Sequence, residues 1–165
     1  WLYDIEKLAF NYRLSDLNCA LGISQLNKIN FFVRERKKIV QFYKKKLGKY
    51  SDFIEFPEYN KSNHPSYHLF LAKIKFNNLI RDKDYFFKKI NEKNIFPQFH
   101  YIPITKFKFK NKPIVALSTF SGASNFFKNN LSLPIFVNLN KKDLNKIIIA
   151  IKNIFKINYK KNDKN

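Results

Sequence analysis

An apolar stripe near the C-terminal end of the chain places the strongest limit on how this sequence can fold. Large apolar residues recur there at the three- and four-residue spacing of an α-helix, at Leu144, Ile147, Ile148, Ile151, Ile154 and Phe155. Asn140 can cap the start of this helix, and Asp143 follows three residues later. Because one face of the helix is so apolar, the chain must supply a matching apolar surface. We expect the basic tail, residues 158–165, to fray.

A second helical segment is predicted over residues 15–47. Ser15 and Asp16 are typical of a helix start, because short polar side chains accept hydrogen bonds from the free amides of the first turn. Gly48 stands where a helix C-cap is expected. The pattern predicts one long or slightly broken helix, whose apolar stripe consists of Leu17, Leu21, Ile29, Phe32, Val33, Val40, Tyr43 and Leu47.

Three short segments between the helices have strand patterns. Residues 66–76 alternate, with lysines on one face and with Phe70, Ala72, Ile74 and Phe76 on the other. Residues 95–103 and residues 131–136 are the other two predicted strands. Pro97 lacks a backbone N–H group, so the second strand is expected at a sheet edge or at a strand entrance.

Two shorter helices complete the predicted set of elements. Residues 82–93 place Phe86, Phe87 and Ile90 at helical spacing, and the pattern near residues 123–129 allows a short helix. In chain order, the main elements are helix, strand, helix, strand, strand and helix. This order predicts an α+β fold in which helices pack on a small, mostly antiparallel sheet.

The formal net charge of +20 raises the question of a polyanionic partner. The lysines are spread along the whole chain instead of forming one basic block. Lysine, asparagine, isoleucine and phenylalanine are abundant together, and all four have A/T-rich codons. We therefore attribute the charge to base composition and predict no nucleic-acid partner.

The sequence has none of the usual signs of a membrane or secreted protein. The longest aliphatic stretch, IIIAI, is too short to span a bilayer. The first ten residues, WLYDIEKLAF, contain acidic side chains and lack a basic region typical of a signal peptide. Cys19 is the lone cysteine and excludes an intrachain disulfide. We predict a soluble, cytoplasmic protein without a membrane partner.

Residue chemistry alone does not point to an enzyme. The three glycines of the chain exclude most glycine-rich phosphate loops. The three histidines, His64, His68 and His100, are too scattered to assign as metal ligands, so no metal is predicted. Carboxylates are few, which gives little support to a mechanism with paired carboxylates.

Several segments, in contrast, resemble one enzyme family. NYRLSDLNCALGISQL (residues 11–26), continued by RERKKIVQFYKKKL, resembles a motif of the nucleotide-sugar aminotransferases of the DegT/DnrJ/StrS type, which depend on pyridoxal 5'-phosphate (PLP). SYHLFLAKIKF, NIFPQFHYIPI and LSLPIF resemble later family segments in the same order. The resemblance extends over nearly the whole chain.

The resemblance implies the C-terminal portion of a fold type I aminotransferase. Residues 1–14 would end the large PLP-binding domain, and residues 15–48 would form the linking helix. Residues 49–157 would be the small C-terminal α+β domain, followed by the basic tail, residues 158–165. The family's Schiff-base lysine lies in a segment that this chain does not resemble, so no catalytic residue is assigned.

The resemblance also implies roles for four residues at an active site shared between the subunits of a homodimer. Asn11 would reach the PLP phosphate of the partner subunit, and Arg13 would face the substrate or the carboxylate of the amino donor. His100 and Tyr101 would lie near the nucleotide-sugar side. From the residues alone, Asn11 and Arg13 could equally satisfy backbone groups at a helix entrance, and His100 could be a structural histidine.

The activity that the resemblance implies is amino transfer, usually from glutamate, to the 4-keto carbon of a UDP-linked deoxy sugar. This reaction belongs to pseudaminic acid-type nucleotide-sugar biosynthesis. Without the Schiff-base lysine, the portion alone is expected to be inactive. Two alternatives stay open: a non-catalytic dimerisation or binding module derived from the family and, less favoured, a basic nucleic-acid-binding domain.

Two further expectations follow from the resemblance. Thr105 stands where relatives carry a second histidine, so the exact sugar and the keto position stay open. The first residues would pack on the large domain, so we predict an exposed apolar patch and poor solubility of the monomer. This patch comprises Trp1, Leu2, Tyr3, Leu8 and Phe10.

Overall fold

The architecture is described from a computed structural model. The structure describes residue 4 and residues 6–60, 62–109, 112–113 and 120–157. Within these ranges the helices are α1 (Asp16–Leu26), α2 (Ile29–Leu47), α3 (Lys83–Asn91), α4 (Ser121–Asn129) and α5 (Lys141–Ile157). The strands are β1 (Ile54–Glu55), β2 (Phe70–Ile74), β3 (Lys108–Phe109), β4 (Lys112–Pro113) and β5 (Asn130–Leu133).

A three-stranded antiparallel sheet with the order β1-β2-β5 forms the centre of the fold. Ile54 pairs with Ile74 across β1 and β2, and Phe70 pairs with Leu133 across β2 and β5. β3 and β4 form a separate antiparallel pair. The observed architecture confirms the predicted α+β class with a small antiparallel sheet.

The predicted helix over residues 15–47 is present as two segments. Ser15 caps α1, and its Oγ accepts a hydrogen bond from the Asn18 backbone N–H at 3.4 Å. The break falls between Leu26 and Ile29. The residues of α1 are all exposed, whereas α2 buries a stripe of Ile39, Val40, Tyr43 and Leu47. The helical pair therefore joins the core through the C-terminal half of α2.

α5 supplies one wall of the core, as its sequence pattern predicted. Its predicted apolar stripe is buried throughout, and Asn140 Oδ1 accepts a hydrogen bond from the Asp143 N–H at 2.8 Å. The inward face of β2 supplies Phe70, Ala72 and Ile74, each fully buried. This alternation confirms the predicted face of β2.

One strand prediction was wrong, and three strands of two residues each, β1, β3 and β4, were missed. Residues 95–103 form no continuous strand: Gln98 makes a single bridge to Ser132, and a short 3₁₀ turn, Ile104–Lys106, follows. Pro97 and Pro103 lack backbone N–H groups, so a regular ladder cannot run through this segment. β1 was missed because two residues are too short to show alternation. The predicted tail, residues 158–165, lies outside the described residues.

Candidate functional site

The segment before α1 presents exposed polar groups that do not serve as the helix cap. Asn11 Oδ1 accepts a hydrogen bond from the Arg13 backbone N–H at 3.0 Å, which forms a local turn typical of asparagine. Ser15 caps α1 instead. Among the described residues, the Asn11 side-chain NH₂ and the Arg13 guanidinium have no hydrogen-bond or ion-pair partner. Both groups are thus available as donors to an anion.

Aromatic and aliphatic side chains surround this polar pair and are also exposed. Phe10 and Tyr12 meet edge to face with ring centroids 6.4 Å apart, and Leu8 is 100% exposed. The apolar side chains of α1 continue this surface: Leu17 is 71% exposed, and Leu21, Ile23 and Leu26 are similar. Leu8 and Phe10 confirm their part of the predicted apolar patch. Trp1, Leu2 and Tyr3 lie outside the described residues.

His100 is held against the sheet by a contact that the sequence did not reveal. Its Nδ1 lies 2.7 Å from Oγ of Ser132, a buried residue of β5. Tyr101 contacts the same imidazole edge to face, with centroids 4.7 Å apart, and is itself 71% exposed. The structure therefore brings His100 and Tyr101 together at the surface. Nδ1 of His100 is engaged by Ser132 of the sheet.

The described residues show no direct link between the two predicted groups. No hydrogen bond, ion pair or ring contact among them connects Asn11 or Arg13 with His100 or Tyr101.

Two lysines lie beside the His100 segment on aromatic rings. Lys83 Nζ is 3.8 Å from the centroid of Phe99 and donates a hydrogen bond to the Lys128 carbonyl oxygen at 3.2 Å. Lys106 Nζ lies 4.8 Å from the centroid of Phe127. Burial lowers the pKa of Lys83 and Lys106 adds to this, whereas Asp84 raises it. These contacts join α3, α4 and the loop around Phe99, and they add positive charge near His100.

Thr105 does not present its side chain at the surface. It lies in the short 3₁₀ turn and is 4% exposed. The position at which the resemblance implied a second histidine is therefore occupied here by a small buried hydroxyl residue. A contact from this position to a ligand would need movement of the turn.

The described residues offer a groove on α5 but no metal site outside these groups. They contain no group of three or more histidine, cysteine, aspartate or glutamate side chains suited to a metal ion. A groove of about 640 Å³ lies on the outer side of α5 and includes Lys142, Lys146 and Ile149, away from the predicted site residues. None of the described helices is sufficiently long and apolar to cross a membrane.

Comparison with known sequences gives one consistent result. A sequence profile described as the DegT/DnrJ/EryC1/StrS aminotransferase family matches residues 2–152. The chain is 35% identical over 145 residues to UDP-4-amino-4,6-dideoxy-N-acetyl-beta-L-altrosamine transaminase of Campylobacter jejuni, which covers 87% of this chain and 37% of that protein. It is 25% identical over 159 residues to the spore coat polysaccharide biosynthesis protein SpsC of Bacillus subtilis, covering 94% of this chain and 40% of that protein.

Solved structures agree on the fold. Helicobacter pylori PseC, an aminotransferase involved in the biosynthesis of pseudoaminic acid, superposes with a TM-score of 0.80 at 22% identity, covering 93% of this chain and 41% of PseC. The aminotransferase TlmJ of Streptoalloteichus hindustanus gives a TM-score of 0.77 at 19% identity, with 95% and 41% covered. The chain thus spans about two fifths of the relatives it matches. These matches confirm the predicted fold, the C-terminal α+β portion of an aminotransferase.

Proposed function

The chain belongs to the DegT/DnrJ/EryC1/StrS aminotransferase family, and from this premise we propose that it supplies the C-terminal part of a PLP-dependent transaminase. The reaction is transfer of an amino group, from glutamate, to the 4-keto carbon of a UDP-linked deoxy sugar in pseudaminic acid-type biosynthesis. The observation that carries the proposal is the 35% identity to the altrosamine transaminase of C. jejuni over 87% of the chain. The chain matches 37% of that protein, so the remaining part would carry the Schiff-base lysine.

We propose that the chain is divided into three parts as in the family. Residues 1–14 end the large domain, residues 15–48 link the domains, and residues 49–157 form the small domain. The exposure of every residue of α1 supports this division, because an apolar helix surface is normally covered in a folded protein. We propose that the large domain and a second subunit cover the apolar surface of α1.

Asn11 and Arg13 suit an active site shared between two subunits. The free NH₂ of Asn11 can donate to a phosphate oxygen of PLP in the partner subunit. The guanidinium of Arg13 offers a planar pair of donors to a carboxylate, either that of glutamate or another anionic group of the substrate. When bound, PLP supplies the electron sink that lets an amino group leave the donor and join the acceptor. The chain's own contribution is to bind and orient the two anions.

His100 and Tyr101 are proposed to contact the nucleotide sugar. The exposed phenol of Tyr101 offers a flat surface and a hydroxyl, and the imidazole of His100 offers one nitrogen. The ammonium groups of Lys83 and Lys106, close to this segment, favour an anionic ligand such as a nucleoside diphosphate. We propose a cytoplasmic location, which fits a protein with the free cysteine Cys19.

A chimera tests the function. The N-terminal part of the C. jejuni transaminase is joined to this chain at the start of the matched region, and amino transfer from glutamate is measured with UDP-linked 4-keto and 3-keto deoxy sugars. We expect turnover with a 4-keto sugar and a strong loss in the R13A chimera. R34A is the matched control, because Arg34 is an exposed arginine of α2 whose ion pair and cation–π contact are with its helix neighbours Glu35 and Phe31.

The same experiment separates the alternatives. A chimera that is folded, binds PLP and turns over none of the sugars would contradict the proposed function. A dimeric chimera without the absorbance of bound PLP would instead favour a non-catalytic dimerisation module.

A further inference from the structure

We propose that Ser132 is a positioning residue, which holds the His100 imidazole by Nδ1 so that Nε2–H faces the nucleotide sugar. The role of the imidazole toward that ligand rests on the proposed function. The orientation itself rests on the contact between the two side chains. Ser132 lies in the segment LSLPIF, but neither the sequence pattern nor the family resemblance assigned it a role at the site.

The backbone of Ser132 is held in place by pairing on both sides of β5. Ser132 exchanges two hydrogen bonds with Gln98: its N–H donates to the Gln98 carbonyl oxygen at 2.7 Å, and its carbonyl oxygen accepts from the Gln98 N–H at 3.2 Å. On the other side of β5, Ser132 pairs with Leu71 of β2. A strand that is paired on both sides fixes Cα and Cβ of Ser132, and the contact with His100 Nδ1 at 2.7 Å selects the side-chain rotamer that places Oγ.

The position of Ser132 calls for a polar partner. Three successive residues of β5, Leu131, Ser132 and Leu133, are buried, so both faces of this strand are covered. Ser132 is 6% exposed, and a buried hydroxyl without a hydrogen bond would destabilise the fold. Nδ1 of His100 at 2.7 Å provides this bond.

The bond decides which nitrogen of His100 is available. With Nδ1 engaged by Ser132, the nitrogen left for a ligand is Nε2, which has no partner among the described residues. A nucleoside diphosphate sugar presents mostly acceptor oxygens, so the useful form of His100 carries its proton on Nε2. In this form the Ser132 O–H donates to Nδ1. The edge-to-face contact with Tyr101 is a second restraint on the orientation of the His100 imidazole.

Nitrogen NMR of the full chain tests the orientation directly. The chain contains three histidines, and His64 and His68 are exposed, so they serve as internal references. At about pH 9, where ordinary imidazoles are neutral, long-range ¹⁵N–¹H spectra are expected to show His100 as one tautomer, protonated on Nε2. S132A should shift His100 toward the tautomer mixture of the two references. S132T, which keeps the hydroxyl, should preserve the single tautomer.

S51A is the control variant for the NMR experiment. S51A removes a hydroxyl from an exposed serine and should leave the His100 signals in place. A His100 tautomer that is the same in S132A as in the parent chain would overturn the inference, as would protonation on Nδ1 in the parent chain.

The chimera separates this inference from the proposed function. There, S132A should raise KM for the nucleotide sugar roughly threefold to tenfold, the loss of one hydrogen bond, with a smaller effect on kcat, and S132T should restore KM. An unchanged KM in S132A would contradict a role in substrate binding. If the parent chimera turns over no sugar, the proposed function fails while the NMR result still decides whether Ser132 orients His100.

Discussion

The phenol of Tyr43 donates a hydrogen bond to the carbonyl oxygen of Pro134 at 2.9 Å, and so joins α2 to the segment that follows β5. Tyr43 is fully buried and stacks on Phe70 of β2 with ring centroids 5.7 Å apart. One side chain thus connects α2, the sheet and the loop before α5.

Y43F should lower the free energy of unfolding by about 1 kcal/mol, because the partly buried Pro134 carbonyl oxygen loses its donor. Urea denaturation of the parent chain and the variant measures this difference. Y12F is the matched control, since Tyr12 is 82% exposed, and its midpoint should not change. Equal midpoints for Y43F and the parent would contradict a stabilising role for the bond.

The regular elements could be predicted because their residues repeat along the chain. The apolar stripe of α5 and the alternation of β2 each continue over enough residues to identify one face. Residues 95–103 are apolar and aromatic, which favours a strand. Pro97 and Pro103 lack backbone N–H donors, however, and this lack prevents a regular strand ladder. β1 is held by its pairing with β2, which is a tertiary relationship.

The candidate site could be predicted only in part. Asn11 and Arg13 were predicted because one short motif resembles the family, and His100 and Tyr101 because another does; the roles of all four stay predictions. Ser132 is 32 residues from His100, and nothing in the local sequence links them. Lys83 and Lys106 could not be distinguished from the many other lysines before the fold placed them on aromatic rings.

N140A should destabilise the fold by about 1 kcal/mol, because Asn140 Oδ1 satisfies the Asp143 N–H at the start of α5. N153A is the control: Asn153 is an exposed residue inside the same helix, where alanine is the better helix former. Thermal unfolding by circular dichroism compares the three proteins. A loss in N153A as large as that in N140A would show that the cap is not the cause.

Glu55 should make stability depend on pH in the acid range. Hydrogen bonds from Lys75, at 2.6 Å, and Lys73, at 3.0 Å, lower the pKa of Glu55 below its ordinary value of 4.5. The folded state therefore binds this proton more weakly than the unfolded state. Its stabilising contribution is present above pH 4.5 and is lost as the pH falls through the folded-state pKa. Urea midpoints from pH 7 to pH 3 should fall less in E55Q, with E58Q as the exposed control.

The exposed face of α1 should make the isolated chain self-associate. Leu17 and Leu21 are exposed apolar residues of a helix that buries nothing in this chain. L17E/L21E should shift the chain toward monomer in analytical ultracentrifugation without changing its unfolding free energy. I149E is the control, since Ile149 is an exposed apolar residue of α5, outside the α1 surface, and should not affect association. A monodisperse monomeric parent chain would contradict the prediction.

N11A and R13A should separate activity from stability. Both side chains are exposed, and the only hydrogen bond that Asn11 Oδ1 makes among the described residues is to the Arg13 backbone N–H. The urea midpoint of the chain should therefore stay within error of the parent.

In the chimera, R13A should lower kcat/KM by about tenfold to hundredfold, because a hydrogen-bonded charge is lost from an anion site. N11A should weaken PLP retention, measured by the absorbance that remains after dialysis, and R34A should change neither quantity. A destabilised R13A chain would assign Arg13 to the helix entrance instead of the shared site.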